Sequence, residues 1–414
     1  MRNPPLRLDK CIADKREPGL TLFNVRPGGK ADRMMPGGWL LGIDRAGEIN
    51  FCRHYDPPPQ DTKTLPDGNI LSASTSGDAI TEMTLDGKIV RQWYSAGKYA
   101  EDPPPIGAIR VDASLFHHRI NTLANGNMLL LSVEFRDFDK WPSSDTDPNA
   151  PLERASLAAD VVMEVSPDRE IVSQWHLFDL LDPYRLCYGS RNDYWVRRGF
   201  LETQDWCHAN SVSHDPPDDS ILVSLRTQDC IIKFSRSSGK LIWILGDHGN
   251  WRKPWAEKLL SSVGELAWQY HQHDCTVTPQ GTFLCFDNGN YRVLPFEPKL
   301  LPEKNRSRMV EFEVDETDMT VRQVRAWDGG DEHGLYACYQ GGAYRLPKTG
   351  NTLITYGGIV TKDELPEDVA EAGFCRSRIV EVTPEDEIVF DLWIDGGEED
   401  VSLSSFRAEH YPYT

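Results

Sequence analysis

Three histidines stand at matched places in a repeated stretch of the chain: His118 opens HRINTLANGNM, His208 opens HANSVSHDPP and His273 opens HDCTVTPQGTF. A neutral imidazole nitrogen can attack an electrophile, move a proton or hold a metal. This residue type at recurring positions therefore points to one site rather than to three separate structural histidines. Arg226, in ILVSLRTQD, adds a permanent cation whose planar donors suit an oxyanion. Asn210 follows His208 by two residues and shares its face of a strand. Asp287 and Asn288 of FDNGN end the matching strand beside His273, where they either orient a ligand or a histidine or make an ordinary turn. Two of the histidines belong to close pairs, His117/His118 and His271/His273. In the first pair, a slip of one residue reverses which ring faces inward.

What must position these residues is a repeat. An inner segment ending in a Gly turn, a short apolar strand and a hairpin ending in Trp recur near 60–93, 118–175, 208–243, 273–327 and 342–393. Each hairpin alternates apolar and polar residues across a turn such as LDGK or SSGK, the pattern of half-buried antiparallel strands. The stretch 18–56 has the same hairpin pattern without a preceding inner strand, so a sixth unit is expected from it together with the C-terminal SLSSFRAEH. The expected fold is all-β: one domain over 1–414, a six-bladed β-propeller of four-stranded antiparallel blades closed by N- and C-terminal segments. Equivalent inner-strand positions in such a fold form a ring around the axis. That ring gathers His118, His208 and His273, with Gln60 and Gly342 in the same column. Trp93, Trp175, Trp243, Trp327 and Trp393, at the hairpin ends, are assigned to packing between blades. Segments 96–116, 136–159, 176–206 and 244–270 are assigned to loops covering one face.

In order and spacing, DWCHANSV, ILVSLRTQD, YHQHDCTV and FDNGN, with PGLTLFNV near the start and GNTLITYGG near the end, resemble the bacterial arylsulfate sulfotransferases. The resemblance covers most of the chain. It implies a six-bladed propeller that moves a sulfuryl group from an aryl sulfate to a phenolic acceptor, without the nucleotide donor PAPS, through a sulfohistidine. It further implies that His273 is the nucleophile, that His208, Asn210 and Arg226 hold the sulfuryl oxygens, and that His118 is another active-site histidine. The catalytic candidates are thus His273, His208, His118 and Arg226, and the candidate substrate contacts are Asn210, Asp287, Asn288 and His117. No cofactor is implied. The chain departs from well-known members, which are periplasmic, disulfide-bearing and preceded by a separate β-domain, in having no export signal and a short segment between Arg226 and His273.

Composition narrows the partners. A net charge of −20 argues against a nucleic-acid backbone, whose binding needs a basic surface, yet it leaves open a small anion in a cleft lined by a few cations. No stretch approaches the ~20 apolar residues of a membrane helix, and the N-terminus lacks an apolar signal core, so a cytoplasmic protein without a membrane partner is expected. Nine scattered Cys without a CxxC read as small buried hydrophobes rather than a disulfide framework. Two other readings use the same residues. A metal-dependent lyase or hydrolase takes the His ring and Gln60 as ligands and is distinguished by metal content. A noncatalytic binding propeller requires an exposed rim contact surface.

Overall fold

A computed structural model describes residues 3–30, 37–99, 103–168, 170–200, 202–329, 334–396 and 401–412. Strands dominate, and the single α-helix among the described residues is the one-turn Leu177–Leu180. The strands form six sheets. Blade 1 spans 59–95 with Pro59–Thr64 innermost, and blade 2 spans 117–176 with His117–Thr122 innermost. Blades 3, 4 and 5 begin at the inner strands Ala209–Asp215, His273–Val277 and Gly342–Arg345. Blade 6 is built from both ends of the sequence: Ala408–Tyr411 pairs antiparallel with Leu20–Pro27, Leu20 opposite Tyr411 and Phe23 opposite Ala408. The C-terminal segment expected to complete this blade does so.

The apolar alternation explains how the sheets stack. Successive residues of a strand point to opposite faces, so a strand packed on both sides feeds two cores. In Ser220–Leu225, Ile221 and Val223 enter the core shared with blade 2, while Leu222 enters the core shared with blade 4. The same division recurs in every neighbouring pair, ending with Leu20 and Leu22 of blade 6 against Ile70 and Met83 of blade 1. The result is a β-propeller. Trp93, Trp175, Trp243 and Trp327 are buried in these cores as expected. Trp393 is only partly buried, with the guanidinium groups of Arg7, Arg376 and Arg378 within 5.7 Å of its ring.

Three expectations need correction. Only blade 3 is strictly four-stranded, because the other blades recruit edge strands from elsewhere in the chain, such as Leu6–Cys11 on Ile388–Ile394 and Thr203–Asp205 parallel to Leu152–Val165. Much of the supposed loop 136–159 is an extension of the blade 2 hairpin, pairing Phe138 with Ala155 and Pro142 with Leu152. Val133 and Phe135 of VEFRDF lead into that extension at period two. Gly342 does not reach the histidine ring; a Cβ there would lie 3.1 Å from Asp274 Oδ2, below the ring, and blade 5 offers Gln340 in its place.

Beneath the histidines four buried charges cross the axis. Arg119 donates to both Asp274 oxygens (2.9 and 2.8 Å), and Arg407 pairs with Asp274 (2.9 Å) and Asp61 (3.1 Å). Each belongs to a different blade. Breaking a buried pair leaves its partner charged and unsolvated, at a cost of about 3–5 kcal/mol. Asp274→Ala strips the carboxylate shared by Arg119 and Arg407, so a loss of unfolding free energy of that size, seen as a lower urea midpoint at unchanged m-value, is expected in a urea titration.

Candidate functional site

A cavity of about 1060 Å³ opens above this network. His118, His208, His273, His117, Gln60 and Arg226 all line it, so the column read from the repeats converges as expected. The inner strands hold the rings through irregular starts: His118 and His208 have left-handed φ of 55° and 45°, and the strand pairing shifts register just beyond each. Such backbone costs energy and persists where the surroundings over-determine it, commonly at functional sites.

Each ring has a fixed orientation. Asn288 spends both amide hydrogens on the Ala337 and Gln340 carbonyls (2.7 and 2.9 Å), so its oxygen must face His273 Nδ1 at 2.8 Å and accept a hydrogen bond from the Nδ1–H. The lone pair of His273 is thereby placed on Nε2, on which the Gln340 N–H is directed at 3.3 Å. His208 Nδ1 lies 2.7 Å from Asp205 Oδ2, and that carboxylate is also held by Trp195 Nε1 (2.9 Å) and Asn192 Nδ2 (3.2 Å). Burial opposes the charge of Asp205, but the His208 charge and these hydrogen bonds outweigh it and keep the acid below its ordinary value.

His117 and His118 form a chain rather than alternatives. His117 Nε2 faces two acceptors, Asp160 Oδ1 at 3.1 Å and the Ser132 carbonyl at 3.0 Å, and so carries a hydrogen. Its Nδ1 lies 2.8 Å from His118 Nδ1. With His117 neutral, His118 donates in this bond and offers a lone pair from Nε2. With His117 protonated, the roles reverse and His118 Nε2 carries the hydrogen. Of the two, His118 stands against His208, ring centroids 4.8 Å apart.

Burial, then the charges of His208 and His117, hold His118 well below its ordinary 6.5. Burial and the Arg226 charge do the same to His273, against the Asn288 hydrogen bond. Both rings are neutral at neutral pH. The unfolded chain binds protons on them below 6.5 and the folded chain does not, so the stability they contribute is complete above that value and lost as pH falls. The melting temperature is expected to drop between about pH 7.5 and about pH 5.5, with a smaller drop in His118→Gln.

Three residues expected to touch substrate do not line the cavity. Asn210 is fully buried, donates to the Gln272 carbonyl (2.7 Å) and accepts from the Asp274 N–H (3.1 Å), stitching blade 3 to blade 4. Asp287 is fully buried and ion-paired to Arg292 (2.9 Å) and Arg308 (2.8 Å), which pins the loop after its strand. Asn288 touches a histidine rather than the cavity. Strand alternation gives the face of a residue but not whether the neighbouring strand has already taken its polar atoms.

Other cavity residues escaped the sequence reading. Tyr194 packs on His208 (4.7 Å between centroids) and Phe406 on His118 (5.7 Å), while Arg26, Tyr339 and Gln340 complete the wall. Phe406 takes the ring position of blade 6, which the SLSSFRAEH segment signalled once assigned to that blade. Segment 176–206 lines the cavity as expected, whereas no residue of 244–270 does, and that segment packs outward, Trp251 lying under Arg185 at 4.0 Å.

The sequence profile of the arylsulfotransferase (ASST) family matches residues 13–401. The chain belongs to the arylsulfotransferase family. It is 30% identical over 244 residues to the arylsulfate sulfotransferase AssT of Escherichia coli O6:H1, covering 49% of this chain and 40% of that protein. To the AssT of Lelliottia amnigena it is 29% identical over 216 residues, covering 42% and 35%. The matched part thus spans less than half the length of either relative. Among solved structures, a Bacteroides caccae protein of unknown function aligns over 93% of this chain and 99% of its own at 12% identity and a TM-score of 0.47. The β-propeller domain of Cps50 (Swd1) from Myceliophteria thermophila aligns over 94% and 99% at 10% identity and a TM-score of 0.36. Neither likeness bears on function. No helix among the described residues is long and apolar enough to cross a membrane, and seven of the nine free cysteines are buried.

Proposed function

We propose that this arylsulfotransferase-family protein moves a sulfuryl group from an aryl sulfate to a phenolic acceptor through a sulfohistidine on His273, without a nucleotide donor. The observation that carries this reading is the fixed tautomer of His273: the Nδ1–H donates to Asn288, and the neutral ring keeps its lone pair on Nε2, held in the ground state only by the long 3.3 Å contact from the Gln340 N–H, in the cavity that Arg226 also lines. Arg226 spends one donor on the Cys338 carbonyl (3.0 Å), and among the described residues no carboxylate pairs with it. Its remaining donors are free for sulfuryl oxygens.

In the first half-reaction His273 Nε2 attacks sulfur, the N–S bond forms, and the S–O bond breaks with its electrons on the phenolate. Arg226 and His208 stabilise the charge on the sulfuryl oxygens. The ring becomes a sulfonated imidazolium whose Nδ1–H bond to Asn288 strengthens. In the second half-reaction the acceptor oxygen attacks the same sulfur, its proton passes to His118 Nε2, and the N–S pair returns to His273. The His118–His117–Asp160 chain carries that proton away. Among the described residues no group of three His, Cys, Asp or Glu is arranged to hold a metal. Initial rates with para-nitrophenyl sulfate and phenol test the proposal: parallel double-reciprocal lines are expected, and converging lines or a requirement for added PAPS overturn it.

A further inference from the structure

Blade 6 builds a second polar corner of the cavity, across Phe406 and Gln340 from the histidines. Arg26, on Leu20–Pro27, lines it with a single polar contact. With the Gln340 amide placed so that its nitrogen donates to the Ser405 carbonyl (3.1 Å), the amide oxygen accepts from Arg26 Nη2. Among the described residues no carboxylate pairs with Arg26. Burial pulls its guanidinium down from the ordinary value, and Arg198 adds repulsion. Beside it Ser404 is fully buried, yet its hydroxyl has no partner although the residue lines the same cavity. A Cβ at position 28 would fall 2.6 Å from Ser404 Oγ and 2.8 Å from Tyr339 Oη, so only glycine lets the chain pass this close to both. A desolvated cation and an unsatisfied hydroxyl, on strands that set Arg26 opposite Ser404, together form a cradle for one anionic group.

An aromatic path joins this cradle to the proposed reaction centre. Phe406 lies under the Arg26 guanidinium (5.7 Å) and against His118 (5.7 Å), and Tyr194 lies against His208. The charges acting most on His118 and His273 are those of the histidines themselves, Arg226 and Arg407, whereas Arg26 acts on Tyr194 and Tyr339. Because Phe406 contacts both the Arg26 guanidinium and His118, Arg26 is assigned to the far end of the acceptor rather than to its sulfuryl end.

We infer that Arg26 and Ser404 bind an anionic substituent on the acceptor, and that the preferred acceptor is a phenol bearing a carboxylate. The inference rests on the sulfuryl-transfer reading of the site. Its test compares para-hydroxyphenylacetate with its methyl ester as acceptors from para-nitrophenyl sulfate, in the wild type, Arg26→Gln, Arg26→Lys and Ser404→Ala. The wild type is expected to favour the acid by about thirtyfold or more in kcat/KM, the range typical of a buried charge pair. That ratio should collapse toward one in Arg26→Gln and recover in part in Arg26→Lys. Equal use of acid and ester by the wild type, or an unchanged ratio in Arg26→Gln, overturns the inference. Should Arg26→Gln not fold, a reduced ratio in Ser404→Ala supports it and an unchanged one overturns it. If neither acceptor is sulfated, the transferase reading fails and binding decides the cradle separately: para-hydroxyphenylacetate raising the melting temperature where its ester does not supports an anion site, and no difference removes it.

Discussion

His273→Ala is expected to lower the release of para-nitrophenol from its sulfate by about ten-thousandfold or more, as loss of a covalent nucleophile does elsewhere. The folded state should survive. The ring is buried but sits above the axial ion-pair network rather than within it, and its partner Asn288 keeps the Ala337 and Gln340 carbonyls. Circular dichroism of the variant should match the wild type while turnover is lost. A variant that retains turnover within tenfold of the wild type would move the nucleophile to another residue, and His118 and His208 would be the candidates on geometry.

Arg226→Ala is the second large effect, a fall in kcat of about 10²–10³-fold, the range found when one preorganised donor to a developing oxyanion is removed. Arg226 does more than attract the substrate, because its charge also helps keep His273 unprotonated. Its removal should therefore raise the acid limb of the pH–rate profile as well as slow the reaction. Arg226→Lys keeps the charge but not the planar pair of donors, so it should restore the position of the acid limb and only part of kcat. Rates measured across pH for the three proteins separate these two roles.

The repeat was readable because each blade solves the same packing problem and so repeats the same alternation, turn and terminal Trp. The histidine ring followed from that register, and His118, His208 and His273 do meet. What escaped depends on contacts between distant segments. The strand Leu6–Cys11 shows nothing locally that ties it to Ile388–Ile394. Asn210 has the right face of its strand, but the neighbouring inner strand uses both ends of its amide, a fact that only the assembled ring reveals. Asp205 stands three residues before His208 in QDWCH and orients it, a spacing that could have been noticed. Arg26 and Phe406 come from opposite ends of the chain and meet because the last strand pairs with an early one.

The proposed covalent intermediate is the point on which the account stands. The protein is mixed with para-nitrophenyl sulfate in the absence of an acceptor, quenched in alkali, and digested for mass analysis. An adduct of about 80 Da on the peptide containing His273, discharged when phenol is added before the quench, is the predicted result. Release of para-nitrophenol with His273 unmodified, or the adduct on His208 or His118, would contradict it.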